Sequence, residues 1–117
     1  MLPSAKRILV VDDDRDLRQE IAAIISDLGV EVMQAGDGIE GLERLAAGPL
    51  PSAILLDMRM PRLDGRGFLA ALRDAPALSD IPVVTMTGGP DHCEGEVASR
   101  LQKPFDLEEL AHILVSL

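Results

Sequence analysis

The run ILVVDDD at residues 8–14 decides the fold. Its first four residues are all apolar and three are β-branched, so a strand built from them has no polar face to show to water. Strands of that kind belong to parallel sheets with helices on both sides, whereas a half-solvated antiparallel strand alternates apolar and polar positions. Three aspartates come next, at the carboxyl end of the strand, where an open α/β sheet builds its site.

The same two kinds of segment alternate along the rest of the chain. After 8–11, Leu17, Ile21, Ile24, Ile25 and Leu28 recur at helical spacing until Gly29 stops the helix. Further strands are predicted at 30–35, 53–56 and 81–86, the last introduced by its own Pro82, with another before Lys103. Ile39, Leu42 and Leu45 mark a second helix, which Gly48 and Pro49 end, and Phe68, Leu69 and Leu72 mark a third. The final helix opens on Asp106 as cap with Glu109 three residues on. Phe105 and Leu110 stand at staple positions, and Leu107, Leu110, Ile113, Leu114 and Leu117 form its apolar stripe. This alternation predicts a doubly wound α/β domain, and right-handed crossovers bring all the strand ends to one edge. With no low-complexity tract, repeat or linker-like stretch, residues 1–117 read as a single domain.

Composition narrows the function classes. At 47% apolar with only Phe68 and Phe105 aromatic, the core must be aliphatic. No run reaches the roughly 18 apolar residues of a membrane span, and the first six residues lack the order of a signal peptide, so a cytoplasmic location is the expectation. The lone Cys93 has no disulfide partner, and with His92 it makes too small a cluster for a metal site. A net charge of −9 argues against direct nucleic-acid binding, because phosphate contacts need a basic surface.

Four motifs occur in order: ILVVDDD at 8–14, LLDMRMPRLDG at 55–65, VVTMTG at 83–88 and QKPF at 102–105. Together they closely resemble the receiver domain of two-component response regulators, over nearly the whole chain from Lys6 to Leu117. The resemblance implies a flavodoxin-like sheet of five parallel strands in the order 2-1-3-4-5. It also implies phosphorylation of Asp57 by a sensor histidine kinase or phosphotransfer protein, and signalling to an unidentified partner or attached output domain. On the family pattern Asp13 and Asp57 would coordinate Mg²⁺ directly, Asp12 would act mainly through water, and the backbone carbonyl of Arg59 would be a further ligand.

Elementary electrostatics supports those roles. Carboxylates gathered at one strand edge repel by about 4 kcal/mol per pair at 4 Å and an effective dielectric of 20, which a hard divalent cation relieves. Phosphoryl transfer spreads charge over equatorial oxygens, so positioned positive charge matters more than a strong nucleophile. Mg²⁺ would meet one oxygen, the Lys103 ammonium a second, and the Thr87 hydroxyl with the Gly88 N–H a third. The acyl phosphate on Asp57 would be open to water and therefore transient. The domain would catalyse only its own phosphorylation and dephosphorylation.

Other residues read more plainly. Asp14 is a helix cap, Asp16 a surface acid, Asp64 and Gly65 a turn and helix start, and His112 a partly exposed structural residue. Asp12, Asp14 and Asp16 imitate a calcium loop, but Leu17 and Ala23 occupy the positions that need Gly and Glu. Asp12 and Asp14 also form the D-x-D of a haloacid-dehalogenase-type phosphohydrolase, in a chain short for that fold. Thr85 shares the strand parity of Thr87, but Thr87 ends the apolar run beside Gly88 and is preferred.

Only sixteen steps separate Thr87 from Lys103, fewer than in most receivers, and the missing length falls on the fourth helix. Residues 88–99 carry three Gly, one Pro and a single large aliphatic, Val97, so an irregular loop or at most one turn is predicted there. Arg100 stands where the family usually has an aromatic ring that reports phosphorylation. The coupling is therefore expected to pass to the 88–99 loop, ordering around the phosphoryl group. The alternative is a phosphorylation-independent interaction module. The short last helix suggests that the chain continues into a larger protein.

Overall fold

Apolar residues on successive strand positions feed two separate cores, one on each face of the sheet, as the unbroken runs require. The computed structural model describes residues 6–88, 97, 99–103 and 105–116. In chain order these form β1 (Arg7–Val11), α1 (Arg15–Asp27), β2 (Glu31–Ala35), α2 (Gly38–Ala47), β3 (Ala53–Asp57), α3 (Gly65–Asp74), β4 (Val83–Thr87), β5 (Ser99–Gln102) and α4 (Leu107–Ser116). The five strands are all parallel, in the order β2-β1-β3-β4-β5, as the resemblance implies. No helix lies between β4 and β5 among the described residues. The loop expected over 88–99 falls mostly outside those residues, as do His92 and Cys93.

One core lies under α1 and α4 and includes Ile8, Val10, Ile21, Leu55, Met86 and Leu110. The other lies under α2 and α3 and includes Leu9, Val11, Ile54, Leu56, Phe68 and Leu72. Each helix opens on an aspartate whose side chain accepts a backbone N–H. The pairs are Asp14 with Leu17 (3.1 Å), Asp37 with Glu40 (2.8 Å), Asp64 with Gly67 (2.9 Å) and Asp106 with Glu109 (2.8 Å).

Boundaries differ from the sequence reading at four strands, the first being β1, which begins at Arg7, one residue before the apolar run. The Val30 N–H bonds back to the Ile25 carbonyl, so Val30 belongs to the turn after α1, and β2 begins at Glu31. Likewise the Ile81 N–H bonds to Leu78, which places Ile81 in the preceding turn, and β4 runs instead from Val83 through Thr87. β3 extends one residue further than the apolar run, to Asp57 itself.

The buried face of α2 passes through Gly38, Gly41 and Leu45, while Ile39 is 38% exposed. Gly41 permits this, since a Cβ there would lie 2.8 Å from Phe68 Cε2 and 3.3 Å from Val11 Cγ2. Gly41→Ala is accordingly expected to overpack the site and lower stability by about 1–3 kcal/mol, read as a lower urea midpoint with unchanged slope.

Candidate functional site

Sheet register assembles the site. Val11 pairs with Leu56, so Asp12 and Asp57 are the next positions on adjacent strands, and Asp57 in turn pairs with Met86, the residue before Thr87. Thr87 pairs with Gln102, and the Lys103 N–H continues that ladder to the Thr87 carbonyl at 2.6 Å. Thr85 lies deeper, paired with Leu56 and Arg100 and fully buried. Arg100 is exposed on β5.

Carboxylate oxygens of Asp12, Asp13 and Asp57 lie within 4.8 Å of one another. Asp12 is fully buried and Asp57 only 5% exposed, while Asp13 stands at the open rim. Asp12 Oδ1 accepts the Asp14 N–H at 2.9 Å, and its Oδ2 accepts from Lys103 Nζ at 3.1 Å. The same ammonium stands 3.6 Å from Asp57 Oδ1, which also accepts the Arg59 N–H at 3.3 Å. One ammonium thus faces two of the three gathered carboxylates. Burial pushes the Asp57 carboxyl up from 3.8 to about 7, and the charge of Asp12 adds to this against the Arg59 N–H and Lys103.

The segment after Asp57 is closely held. The Met58 N–H donates to the Met86 carbonyl at 3.1 Å, and the Gly65 N–H returns to the Met58 carbonyl at 3.2 Å. A Cβ on Gly65 would lie 2.6 Å from Met58 Cα, so only glycine allows α3 to start against the residue next to Asp57.

Two features of the site edge were not read from the sequence. Arg18 Nη1 donates to the Asp12 carbonyl at 2.7 Å, and its Nε donates to Gln34 Oε1 at 3.2 Å. Arg62, with φ of 67°, grips Asp37 by a two-pronged fork, Nε to Oδ2 at 2.8 Å and Nη2 to Oδ1 at 3.0 Å. The fork ties the segment after β3 to the start of α2. Only the D-G pair at 37–38 hinted at the cap, and no periodicity signals either arginine.

That fork, and after it the Glu40 N–H, holds the Asp37 carboxyl below its ordinary 3.8. The folded state therefore binds this proton less tightly than the unfolded chain, so the stabilisation is present above the unfolded value and lost as pH falls through the folded one. Asp37→Asn, which keeps a capping oxygen, is expected to flatten the acid limb below about pH 4 in melts from pH 2.5 to 5. An acid limb as steep as the wild type's would refute the assignment.

Known proteins share this architecture. The family model for the response regulator receiver domain matches residues 8–115. Response regulator MprA of Mycobacterium ulcerans is 41% identical over 89% of this chain, and the match spans 46% of that protein, so the chain corresponds to about half the length of such relatives. Among solved structures, the chemotaxis response regulator CheY4 of Vibrio cholerae superposes with a TM-score of 0.87 at 30% identity, covering 95% of this chain and 97% of that one. A CheY-like receiver domain protein of Methanospirillum hungatei gives 0.79 at 31% identity over 92% and 89%. No helix of the described residues is long and apolar enough to cross a membrane. From β1 to α4, in strand order and in the acids at the strand ends, the chain belongs to the response regulator receiver domain family.

Proposed function

We propose that this domain, taken as one unit over residues 1–117, accepts a phosphoryl group on Asp57 in a Mg²⁺-dependent reaction. The observation that carries the reading is Asp57 at the end of β3, its carboxylate gathered with those of Asp12 and Asp13 and faced by Lys103 at 3.6 Å. The donor set fits the ion: the oxygens are hard, and negative charge exceeds positive. When bound, Mg²⁺ would neutralise the cluster and withdraw charge from one phosphoryl oxygen. Asp12, Asp13, Asp57 and the Arg59 carbonyl would hold it.

The chain's own groups do the rest. Asp57 attacks as a carboxylate and needs no general base once the charge around it is balanced. Lys103, held by Asp12, is placed to meet a second phosphoryl oxygen. Thr87, at the end of β4, and the N–H of Gly88 would meet the third.

The phosphodonor would be a sensor histidine kinase or a phosphotransfer protein in the cytoplasm, and the output an attached domain or partner. The matched relatives, about twice as long as the match, support an attached domain. At a net charge of −9, this domain is not expected to contact nucleic acid itself.

The test is incubation with Mg²⁺ and acetyl phosphate, then measurement of intact mass. One added phosphoryl group is expected, lost in Asp57→Asn and without Mg²⁺. No adduct on fresh protein, together with no binding of beryllofluoride, would overturn the proposal in favour of a phosphorylation-independent interaction module.

A further inference from the structure

We propose that Arg18 is a positioning residue for the cation site, acting through the peptide that joins Asp12 to Asp13; the inference rests on the Mg²⁺ reading above. The Asp12 N–H is taken by the Ala35 carbonyl at 3.1 Å, and the Asp12 carboxylate by Asp14 and Lys103. Its carbonyl lies past the last residue of β1 and has no strand partner. Arg18 Nη1 supplies one at 2.7 Å, the distance of a strong charge-assisted bond.

That carbonyl belongs to the planar unit that carries the Asp13 nitrogen and Cα, so fixing its direction fixes where Asp13 begins. Asp13 needs this help. Its side chain is exposed and has no hydrogen-bond partner among the described residues, so only its backbone keeps the carboxylate near Asp12 and Asp57. Asp12 and Asp57, by contrast, are held by N–H donors and by Lys103.

The guanidinium is itself oriented. Gln34, paired in register with Val10, accepts from Arg18 Nε at 3.2 Å, so α1, β1 and β2 all meet at one side chain. The chain after β2 passes beside it, an added Cβ on Gly36 lying 3.5 Å from Nη1, which is ordinary contact. Lysine lacks the planar fork and cannot serve Gln34 and the Asp12 carbonyl in this geometry.

The test compares the wild-type chain with Arg18→Met, Arg18→Lys and Gln34→Met by calorimetric Mg²⁺ titration, with exchange of the Asp14 amide, which Asp12 accepts, measured in the absence of Mg²⁺. Arg18→Met is expected to weaken Mg²⁺ binding by about tenfold or more, the usual effect of removing a group that orients a ligand, and to speed exchange of the Asp14 amide. Arg18→Lys should recover part of the affinity. Gln34→Met should weaken binding about two- to fivefold, which keeps the test open if an Arg18 variant folds poorly. A merely structural arginine would lower the melting temperature and leave the Mg²⁺ affinity of the folded protein alone. Affinity within about twofold of wild type in both Arg18→Met and Gln34→Met would overturn the inference while leaving the cation site intact. A wild-type chain that takes up no Mg²⁺ would overturn both.

Discussion

Asp57→Asn is expected to melt higher than the wild-type chain at pH 8 without divalent cations, by roughly 10 °C, although it has lost the proposed phosphoacceptor. In the folded wild type, burial and the neighbouring Asp12 hold the Asp57 proton up to about 7, against 3.8 in the unfolded chain. The folded state then binds more protons between those values. Stability is full below the unfolded value and falls as pH rises to about 7. Each tenfold difference in proton affinity is worth about 1.36 kcal/mol, so the ionised group destabilises the cation-free fold by an amount on the order of a few kcal/mol. Asparagine keeps the shape without the charge. Its melting temperature should be nearly flat from pH 5 to 8 where the wild type's declines, and millimolar Mg²⁺ should narrow the gap by stabilising the wild type more. A variant that melts at or below the wild type at pH 8, with the same pH slope, would show that charge crowding at Asp57 is not a destabilising force.

Lys103→Met should have the opposite effect on the fold and a larger one on the chemistry. Its ammonium stands 3.1 Å from the fully buried Asp12 carboxylate and 3.6 Å from Asp57. Removing it strands Asp12 with the Asp14 N–H as its remaining donor. Breaking a buried pair from one side costs about 3–5 kcal/mol. Because the lysine is 23% exposed, the lower end, about 3 kcal/mol, is the expected loss at pH 8. The loss should shrink toward pH 6, where Asp57 takes up its proton. A cycle with Asp12→Asn should show strong coupling, since the double variant no longer buries an unpaired charge. With Mg²⁺ saturating, phosphorylation by acetyl phosphate should slow by about 100-fold or more, the effect of deleting one positioned donor to a transferring group. Additive free energies in the cycle, or an unchanged phosphorylation rate, would remove Lys103 from the site.

Much of this was legible because parallel strands announce themselves as unbroken apolar runs. ILVV and AILL, and VVTM with Thr85 as its one polar residue, each feed both cores, and the residues just past each run fall on one edge. The acids at 12, 13 and 57 could be placed together from strand ends alone. Helix starts were legible at Asp14, Asp64 and Asp106, where cap chemistry is local. Hydrophobicity failed where glycine makes the contact: α2 meets Phe68 through Gly41, which periodicity scores as blank, while Ile39 faces outward. It failed again for long cations. Nothing in periodicity marks Arg18 or Arg62, and only the assembled turns bring the Asp12 carbonyl and the Asp37 carboxylate within their reach. β4 was misplaced because an apolar run does not say where a turn's hydrogen bonds end, as Ile81 illustrates.

Lys103 and Asp12 touch across 91 residues of sequence, the length of almost the entire domain. A chain still emerging during synthesis has the acids of β1 and β3 long before it has β5 to supply the lysine. Under the proposed chemistry such a chain lacks the lysine and is phosphorylated slowly until its last strand has docked, so fast phosphorylation reports a completed sheet. A copy whose β5 has not docked would be under-represented among phosphorylated molecules, so the switch itself favours finished chains.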